Sequence, residues 1–221
     1  MQYIRELIAG GESQTLEFKF ELNSARRISQ TISAFSNAQG GTLLIGVKDN
    51  GAIAGIRLDE EIYVLEAAAS MYCKPPVELK IKQHNLEGKQ ILEVKIAEST
   101  EKPVLSEFEP ENQKAWIRFG ASNRMASPVH LNLWKFSSTN NSKPAFFTDK
   151  QQLVLKILND KKWLSLNQMC RISKLPRNTV VQALADFIRW KLISCEPEIS
   201  GGFVFTLNEQ NQEIFSWPSG N

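Results

Sequence analysis

Apolar and polar residues alternate with two different periodicities over the first 136 residues. Where apolar residues recur three and four positions apart, the pattern predicts helices, over 3–8, 28–36, 59–72 and 128–134. Where they alternate with polar residues or form short runs, it predicts strands, over 16–20, 42–47, 52–56, 77–83, 90–96 and 115–119. Because helices and strands interleave, we predict an α+β domain with a mixed or antiparallel sheet.

Turn residues join two pairs of these strands. Asp49-Asn50-Gly51 separates the second predicted strand from the third and is a typical hairpin turn, so we expect those two strands to pair. Glu87-Gly88 separates the fourth from the fifth and predicts a second hairpin.

A polar segment that ends in a proline, residues 137–144, has no apolar period and is typical of a linker. Beyond it the pattern predicts three helices and then a hairpin, over 149–158, 165–172, 177–190, 192–196 and 203–207. This is the order of a winged helix-turn-helix domain. We therefore predict a first domain over 1–136, a linker over 137–144 and a winged-helix domain over 145–221.

The composition is that of a folded protein, since 42% of the 221 residues are apolar. Arg5 and Glu6 carry charge where a signal peptide needs an apolar run, and no stretch approaches the roughly 18 apolar residues of a membrane span. We expect a soluble cytoplasmic protein that makes no membrane contact.

Cysteine and histidine are too scattered to predict a zinc site or a disulfide framework. Cys73, Cys170 and Cys195 lie far apart, and the only histidines are His84 and His130. We expect no zinc, and we expect buried structural thiols.

Charge is distributed unevenly. The whole chain has a net charge of +2, but nine basic residues face two acidic ones between Lys150 and Lys191. Such a local excess attracts a phosphate backbone, although a solvated helix face gives the same count.

Two stretches of the first domain carry a distinctive motif: residues 11–19 read GESQTLEFK and residues 32–51 read ISAFSNAQGGTLLIGVKDNG. They resemble the signature of Schlafen AlbA-like domains, an E-S-x-x-x-E-F-K strand followed by A-F-A-N-x-x-G-G-x-L-x-I-G-V-x-D, with Ser36 in place of the usual second alanine. Lys102-Pro103 and Ile117-Arg118-Phe119-Gly120 resemble later elements of the family. The resemblance covers most of residues 1–124 and implies an AlbA-like fold that binds DNA or RNA. The short chain with a helical C-terminal module is also similar to compact bacterial members described as transcriptional regulators.

Three acidic residues of this motif are candidates for catalysis. Glu17 shares a strand face with Lys19, while Glu12 precedes that strand and Asp49 follows the next one. If the strands are neighbours, the carboxylates could converge on Mg²⁺ or Mn²⁺, which activates water against a phosphodiester. The resemblance implies the same role for Glu12, Glu17 and Asp49, because they match the acids that serve metal-dependent cleavage in mammalian Schlafens that cut transfer RNA. Lys19 and Arg118 would then contact phosphate.

A structural interpretation of the same acids stays open. Glu12 can brace a turn, Asp49 is a common hairpin residue, and Glu17 can pair with Lys19 or Arg26.

Proteins with such domains are often described as ATP-binding, but the glycines do not form a phosphate-binding loop. Gly40-Gly41 lacks the G-x-x-x-x-G-K-[ST] spacing, and Gly88-Lys89 is followed by Gln90 within a hairpin. The sequence therefore gives no support to ATP as a ligand, and the glycines suit a helix end and a tight turn.

In the second domain, the helix from residue 177 is the predicted recognition helix. Arg177, Asn178 and Gln182 face outward and Lys174 lies just before them, so all four are candidates for nucleic-acid contact. A winged helix used for protein contact is the alternative.

Three functions follow, and the sequence leaves open whether the protein is an enzyme. The first is a DNA-binding transcriptional regulator. The second is a metal-dependent endoribonuclease that acts on transfer RNA or other structured RNA. The third is a dimeric protein-interaction module, since mammalian Schlafens pair two AlbA-like lobes in one chain and a homodimer would replace that pairing here.

Overall fold

The structure, a computed structural model, describes residues 2–107, 109–136, 146–199 and 201–208. The chain divides into two compact units, Met1–Ala126 and Ser127–Asn221. Within the described residues, no helix is long and apolar enough to cross a membrane.

The first unit is α+β, as the pattern predicts. Its elements are α1 (Gln2–Gly10), β1 (Leu16–Lys19), α2 (Ala25–Asn37), β2 (Gly41–Ile45), α3 (Leu58–Ser70), β3 (Cys73–Lys74), β4 (Leu79–Leu86), β5 (Lys89–Ile96), β6 (Leu105–Ser106), β7 (Lys114–Phe119) and β8 (Ser122–Met125). A 3-10 turn covers Pro110–Asn112.

These strands form two four-stranded sheets. The first sheet has the order β1-β2-β5-β4, and the second has the order β3-β6-β7-β8. β1 and β2 are parallel because α2 crosses over between them, and the other pairs are antiparallel. The prediction of a mixed or antiparallel sheet is confirmed.

Apolar clusters pack against both faces of the first sheet, which explains its apolar strands. Neighbouring residues of a strand point to opposite faces, so Leu43 and Ile45 pack with α2 and α3 whereas Leu44 packs with α1. In β5 the same alternation sends Leu92 to the first cluster and Ile91 to the second. The two cores lie on either side of one sheet.

The hairpin predicted about Asp49-Asn50-Gly51 is wrong as a pair of strands. β2 is central in its sheet, and both of its edges are already paired, with β1 and β5. Gly46, with a φ of +92°, ends the strand, and only the isolated bridge Val47–Ile53 remains of the expected pairing. The turn itself forms, since Gly51 N donates to Lys48 O at 2.7 Å.

The second predicted hairpin is confirmed as β4 and β5. Leu86 pairs with Lys89, so the loop is Glu87-Gly88. Both loop residues have positive φ, 56° and 76°, which is the type I′ geometry that matches the twist of a hairpin.

The second unit contains four helices and three strands among its described residues. They are α4 (Pro128–Lys135), α5 (Asp149–Lys161), β9 (Trp163–Ser165), α6 (Leu166–Ser173), α7 (Arg177–Arg189), β10 (Ile193–Pro197) and β11 (Phe203–Leu207). The strands form an antiparallel sheet in the order β10-β11-β9. Capping boxes begin α4, α5 and α6, in which Ser127, Thr148 and Ser165 bind the first turn.

The division between the units differs from the predicted boundary after residue 136. Helix α4 belongs to the second unit, where the Asn132 amide donates to Gln182 Oε1 at 3.2 Å and the His130 ring lies 4.5 Å from that of Phe203. The amphipathic pattern of residues 128–134 correctly predicted a helix, but it could not show which unit the helix packs with. The predicted linker over 137–144 lies outside the described residues.

Candidate functional site

Glu17, the central acid of the signature, is buried in an ion pair with Arg118. Its side chain is 5% exposed and that of Arg118 is 1% exposed, and Arg118 Nη1 lies 2.5 Å from Glu17 Oε2. β1 supplies the acid and β7 supplies the arginine. Two charges can be buried together only when they pair and their remaining hydrogen-bonding groups are satisfied.

Arg118 meets that condition, because its five N–H groups all have acceptors. Nε and Nη2 donate to Ser13 O at 3.2 and 2.9 Å, and Nη2 also donates to Leu16 O. Nη1 donates to Glu17 and to Asn123 Oδ1. The guanidinium also lies 4.9 Å from the centre of the Phe35 ring. The prediction that Arg118 contacts a phosphate must be corrected, since its donors are used inside the fold.

The Glu17 carboxylate is equally occupied. Oε1 lies 2.6 Å from Lys19 Nζ and accepts from the Thr31 hydroxyl, while Oε2 accepts from Arg118 and from the Asn123 amide. A carboxylate has about four lone-pair positions, and these contacts fill them. Lys19 is 36% exposed, so its ammonium is shared between Glu17 and solvent.

The other two acids do not join Glu17 at a metal site. Glu12 Oε1 accepts from the backbone N of Phe18 at 2.7 Å, and Asp49 is exposed in the turn after β2. Among the described residues, no group of three His, Cys, Asp or Glu side chains could hold a metal ion. The site predicted at Glu12, Glu17 and Asp49 for Mg²⁺ or Mn²⁺ therefore finds no support in the geometry.

The structural interpretation describes these acids better. Glu12 braces the backbone of β1, and Glu17 pairs with Lys19 as expected, but Arg118 takes the place expected for Arg26. Arg26 instead pairs with Glu107 at 2.7 Å. No local sequence pattern predicts this exchange of partners, because Arg118 is 101 positions from Glu17 and Glu107 is 81 positions from Arg26.

Two further signature residues bind backbone rather than ligand. Asn37 Oδ1 accepts from Val104 N at 2.7 Å, and Asn37 Nδ2 donates to Val104 O and Trp116 O, both at 2.8 Å. The Ser33 hydroxyl donates to Val104 O at 2.7 Å and accepts from Trp116 N at 3.1 Å. These contacts fix α2 against the chain that forms the second sheet.

The paired glycines of the signature allow close packing. A Cβ on Gly41 would lie 2.4 Å from the Phe35 ring, and a Cβ on Gly40 would lie 2.7 Å from Ile96 O. Gly40 also has a φ of +73° after the end of α2. The expectation that these glycines serve a helix end and a tight turn agrees with this geometry.

In the second unit, the predicted contact residues lie at the start of α7. Lys174, Arg177 and Asn178 are exposed, and Arg177 donates to Asn167 Oδ1 at 2.7 Å. Gln182 is also exposed but is held at both ends of its amide, by Asn132 and by Asp186 at 3.0 Å. Asn178 and Gln182 line a surface groove of about 380 Å³ between α5 and α7.

The thiol of Cys73, which is buried, the thiol of Cys195, which is partly buried, and the imidazole of His130 all have shifted pKa values that favour their neutral forms. Burial raises the pKa of Cys73 to about 12, and burial together with Glu196 raises that of Cys195 to about 12. Burial lowers the pKa of His130 to about 4, so this side chain is neutral near pH 7. His130 Nδ1 accepts from Ser127 N at 3.2 Å and closes the capping box of α4.

The fold and these contacts define an α+β domain built around the signature residues, followed by a small unit of helices and strands. The chain matches the Schlafen, AlbA_2 family over residues 12–127, more than half of its length, and it belongs to that family. The resemblance seen in the sequence is thereby confirmed. Family membership indicates a function related to nucleic acids.

Solved structures that are similar to this chain include the following two. The DIP2311 protein from Corynebacterium diphtheriae is 14% identical with a TM-score of 0.47; the match covers 92% of this chain but only 37% of that protein. The N-terminal domain of a RecG-related protein from Nitrosomonas europaea is 22% identical with a TM-score of 0.41, and the match covers 56% of this chain and 92% of that domain. No curated protein matches the chain.

Proposed function

We propose that this protein is a DNA-binding transcriptional regulator whose second unit reads DNA as a winged helix. The observation that carries this proposal is the exposed, basic start of α7, formed by Lys174, Arg177 and Asn178.

The connection between α6 and α7 supports a helix-turn-helix. Only residues 174–176 lie between the two helices, and DNA-binding motifs of this class use a turn of three or four residues. Lys174 has a left-handed φ of 56°, which ends α6, and its backbone N donates to Cys170 O at 3.1 Å. The turn is therefore tight and capped.

The faces of α7 support the role of recognition helix. Val180, Val181 and Leu184 are buried, so the helix presents Arg177 and Asn178 to solvent at its N-terminal turn. In helix-turn-helix proteins, the N-terminal residues of the second helix contact base edges in the major groove. Arginine suits guanine and asparagine suits adenine, while Lys174 is placed for a phosphate.

The endoribonuclease alternative has no comparable support among the described residues, because Glu17 is saturated by protein contacts. The predicted homodimer and the cytoplasmic location stay predictions.

The test is selection of bound sequences from a pool of random DNA duplexes, followed by anisotropy titration with the enriched duplex. A bidentate base contact contributes about 1–3 kcal/mol, so Arg177→Ala and Asn178→Ala should each weaken binding roughly 5- to 150-fold. Arg27→Ala is the matched control, because Arg27 is an exposed arginine of the first unit. A wild-type protein that enriches no sequence would overturn the proposal.

A further inference from the structure

We propose that the first unit has a second nucleic-acid-binding surface, which we call the lysine face, formed by Lys80, Lys82 and Lys95 beside Tyr3. Its ligand is a single-stranded DNA or RNA segment. The inference rests on the proposed function for the class of ligand only, since the lysine face lies in the other unit.

The strand register places the three lysines together. Lys80 and Lys82 alternate along β4 and so share one sheet face, and Lys95 lies directly opposite Lys80 on β5. This is the α1 side of the sheet, because Leu86 of β4 and Ile91 of β5 pack there with Ile4 of α1. All three lysines are exposed.

The lysine face is poorly neutralised by the protein. Like charges directly opposite each other destabilise a sheet, yet Lys80 and Lys95 occupy such a pair. The nearby acid, Glu93, lies opposite Lys82 in register and approaches Lys95 Nζ at 3.4 Å. No ion pair of Lys80 or Lys82 occurs among the residues that the structure describes. Two of the three ammonium groups, those of Lys80 and Lys82, thus form no ion pair among the described residues, which favours an anionic ligand.

Glu93 does not offset this surplus, because it is committed to its neighbours. Its side chain is 4% exposed, and Oε2 lies 2.8 Å from His84 Nε2. Burial alone would raise the pKa of Glu93, but the hydrogen bond from His84 and the charge of Lys95 outweigh burial and hold the pKa below its usual value. The Glu93 carboxylate is therefore used by His84 and Lys95, and Lys80 and Lys82 form no ion pair with it among the described contacts.

An aromatic ring at the edge of the lysine face favours an unpaired strand over a duplex. Tyr3 is 49% exposed as a residue, and the centre of its ring lies 5.8 Å from Lys95 Nζ. Both residues line a cavity of about 570 Å³ that also contacts Thr15, Thr42 and Gly41. Single strands bind to surfaces that combine lysines for the phosphates with an aromatic ring on which a base stacks.

The spacing of the lysines suits a continuous backbone. Residues two apart on a strand are separated by about 6.6 Å, so Lys80 and Lys82 can meet successive phosphates. Lys95 lies across the hairpin from Lys80 and next to Tyr3, so a nucleic-acid strand bound to Lys80 and Lys82 can continue past Lys95 to the Tyr3 ring. β4 lies at the edge of its sheet.

The test is an anisotropy titration of the full chain with labelled poly(dT), poly(rU) and a DNA duplex at several salt concentrations. We expect Lys80→Gln/Lys82→Gln to weaken single-strand binding by on the order of 10-fold and to lower the log–log salt slope by about 1.4, two single-strand phosphates at about 0.7 each. Lys74→Gln/Lys114→Gln removes the same charge from exposed strand positions of the second sheet and should change binding little.

Tyr3 gives an independent readout. Tyr3→Ala should weaken single-strand binding roughly 5- to 150-fold, and Tyr3→Phe should keep most of it, because stacking needs the ring and not the hydroxyl. Equal losses in the two double variants, or an unchanged salt slope, would overturn the lysine face as the site. Wild-type protein that binds the selected duplex through Arg177 but binds neither single strand would overturn this inference and leave the proposed function standing.

Discussion

Arg118 and Glu17 form a buried ion pair that joins β7 to β1, with side chains 1% and 5% exposed. Both residues belong to motifs from which we predicted a catalytic site, with Glu17 as a metal ligand and Arg118 as a phosphate contact. Inside the fold they satisfy each other, and Asn123 hydrogen-bonds to both. The pair gives these two motif positions a role in stability rather than in chemistry on a ligand.

Removing the arginine should therefore destabilise the first unit strongly. Loss of one partner of a buried pair leaves an uncompensated charge and costs about 3–5 kcal/mol, so Arg118→Ala should lower the free energy of unfolding by that amount. Urea denaturation measures it, with Arg27→Ala as the exposed control, expected within about 0.5 kcal/mol of wild type. A similar small effect for Arg118→Ala would contradict the pairing described here.

Because Glu17 and Arg118 pair with each other, we expect divalent cations to leave the thermal stability of the protein unchanged. A metal that bound the folded state at 100 times its dissociation constant would stabilise it by about 2.7 kcal/mol. Because Glu17 is filled by protein donors, neither Mn²⁺ nor EDTA should shift the Tm of the wild-type protein. A rise in Tm with Mn²⁺ that Glu17→Gln abolishes would restore the metal site. Loss of an activity in Glu17→Ala alone would not, since that change also breaks the ion pair.

Much of the fold could be predicted because side-chain periodicity reports local structure. The alternation over 16–20 and the run over 42–47 gave β1 and β2, and the helical spacing of residues 177–190 gave α7. Pairing is a different matter, because it depends on which edges are free. The sequence could not show that β2 would lie between β1 and β5, and a good turn at Asp49-Asn50-Gly51 was therefore mistaken for a hairpin.

The candidate site was less predictable for the same reason. Glu17, Lys19 and Arg118 were all singled out, but their roles depend on a contact across 101 positions that no local pattern encodes. The lysine face was missed entirely. Lys80 and Lys95 become neighbours only through the register of the β4–β5 hairpin, and a count of charges along the chain cannot reveal that.

The buried His130 predicts an acid-sensitive second unit. Its pKa is lowered to about 4 in the folded state and is about 6.5 in an unfolded chain. Between these values the unfolded chain binds a proton that the folded chain does not, so the free energy of unfolding should fall by roughly 3 kcal/mol as pH drops from about 6.5 to 4. Well above pH 6.5 the imidazole is neutral in both states and has no effect on the free energy of unfolding.

His130→Gln isolates this effect, because glutamine at the same position can close the capping box of α4 but does not titrate. Both free energies of unfolding are measured from pH 7.5 to 4. The wild-type value minus the variant value should fall by roughly 3 kcal/mol as the pH drops. A difference that stays flat with pH would contradict the burial of His130.

Gly41 gives the sharpest test of packing in the signature. A Cβ at this position would lie 2.4 Å from the Phe35 ring, and overpacking of this kind costs about 1–3 kcal/mol. Gly41→Ala should therefore destabilise the protein, whereas Gly10→Ala should not, because nothing lies within 4 Å of a Cβ there.

A double-mutant cycle with Phe35 tests whether the ring causes this cost. Phe35→Leu should be destabilising alone, since Phe35 is fully buried, but it should make room for the methyl group added by Gly41→Ala. In a double-mutant cycle, the combined loss should then be smaller than the sum of the two single losses by 0.5 kcal/mol or more, on the order expected for side chains in contact. Strictly additive losses would show that the cost of Gly41→Ala comes from the backbone and not from the ring.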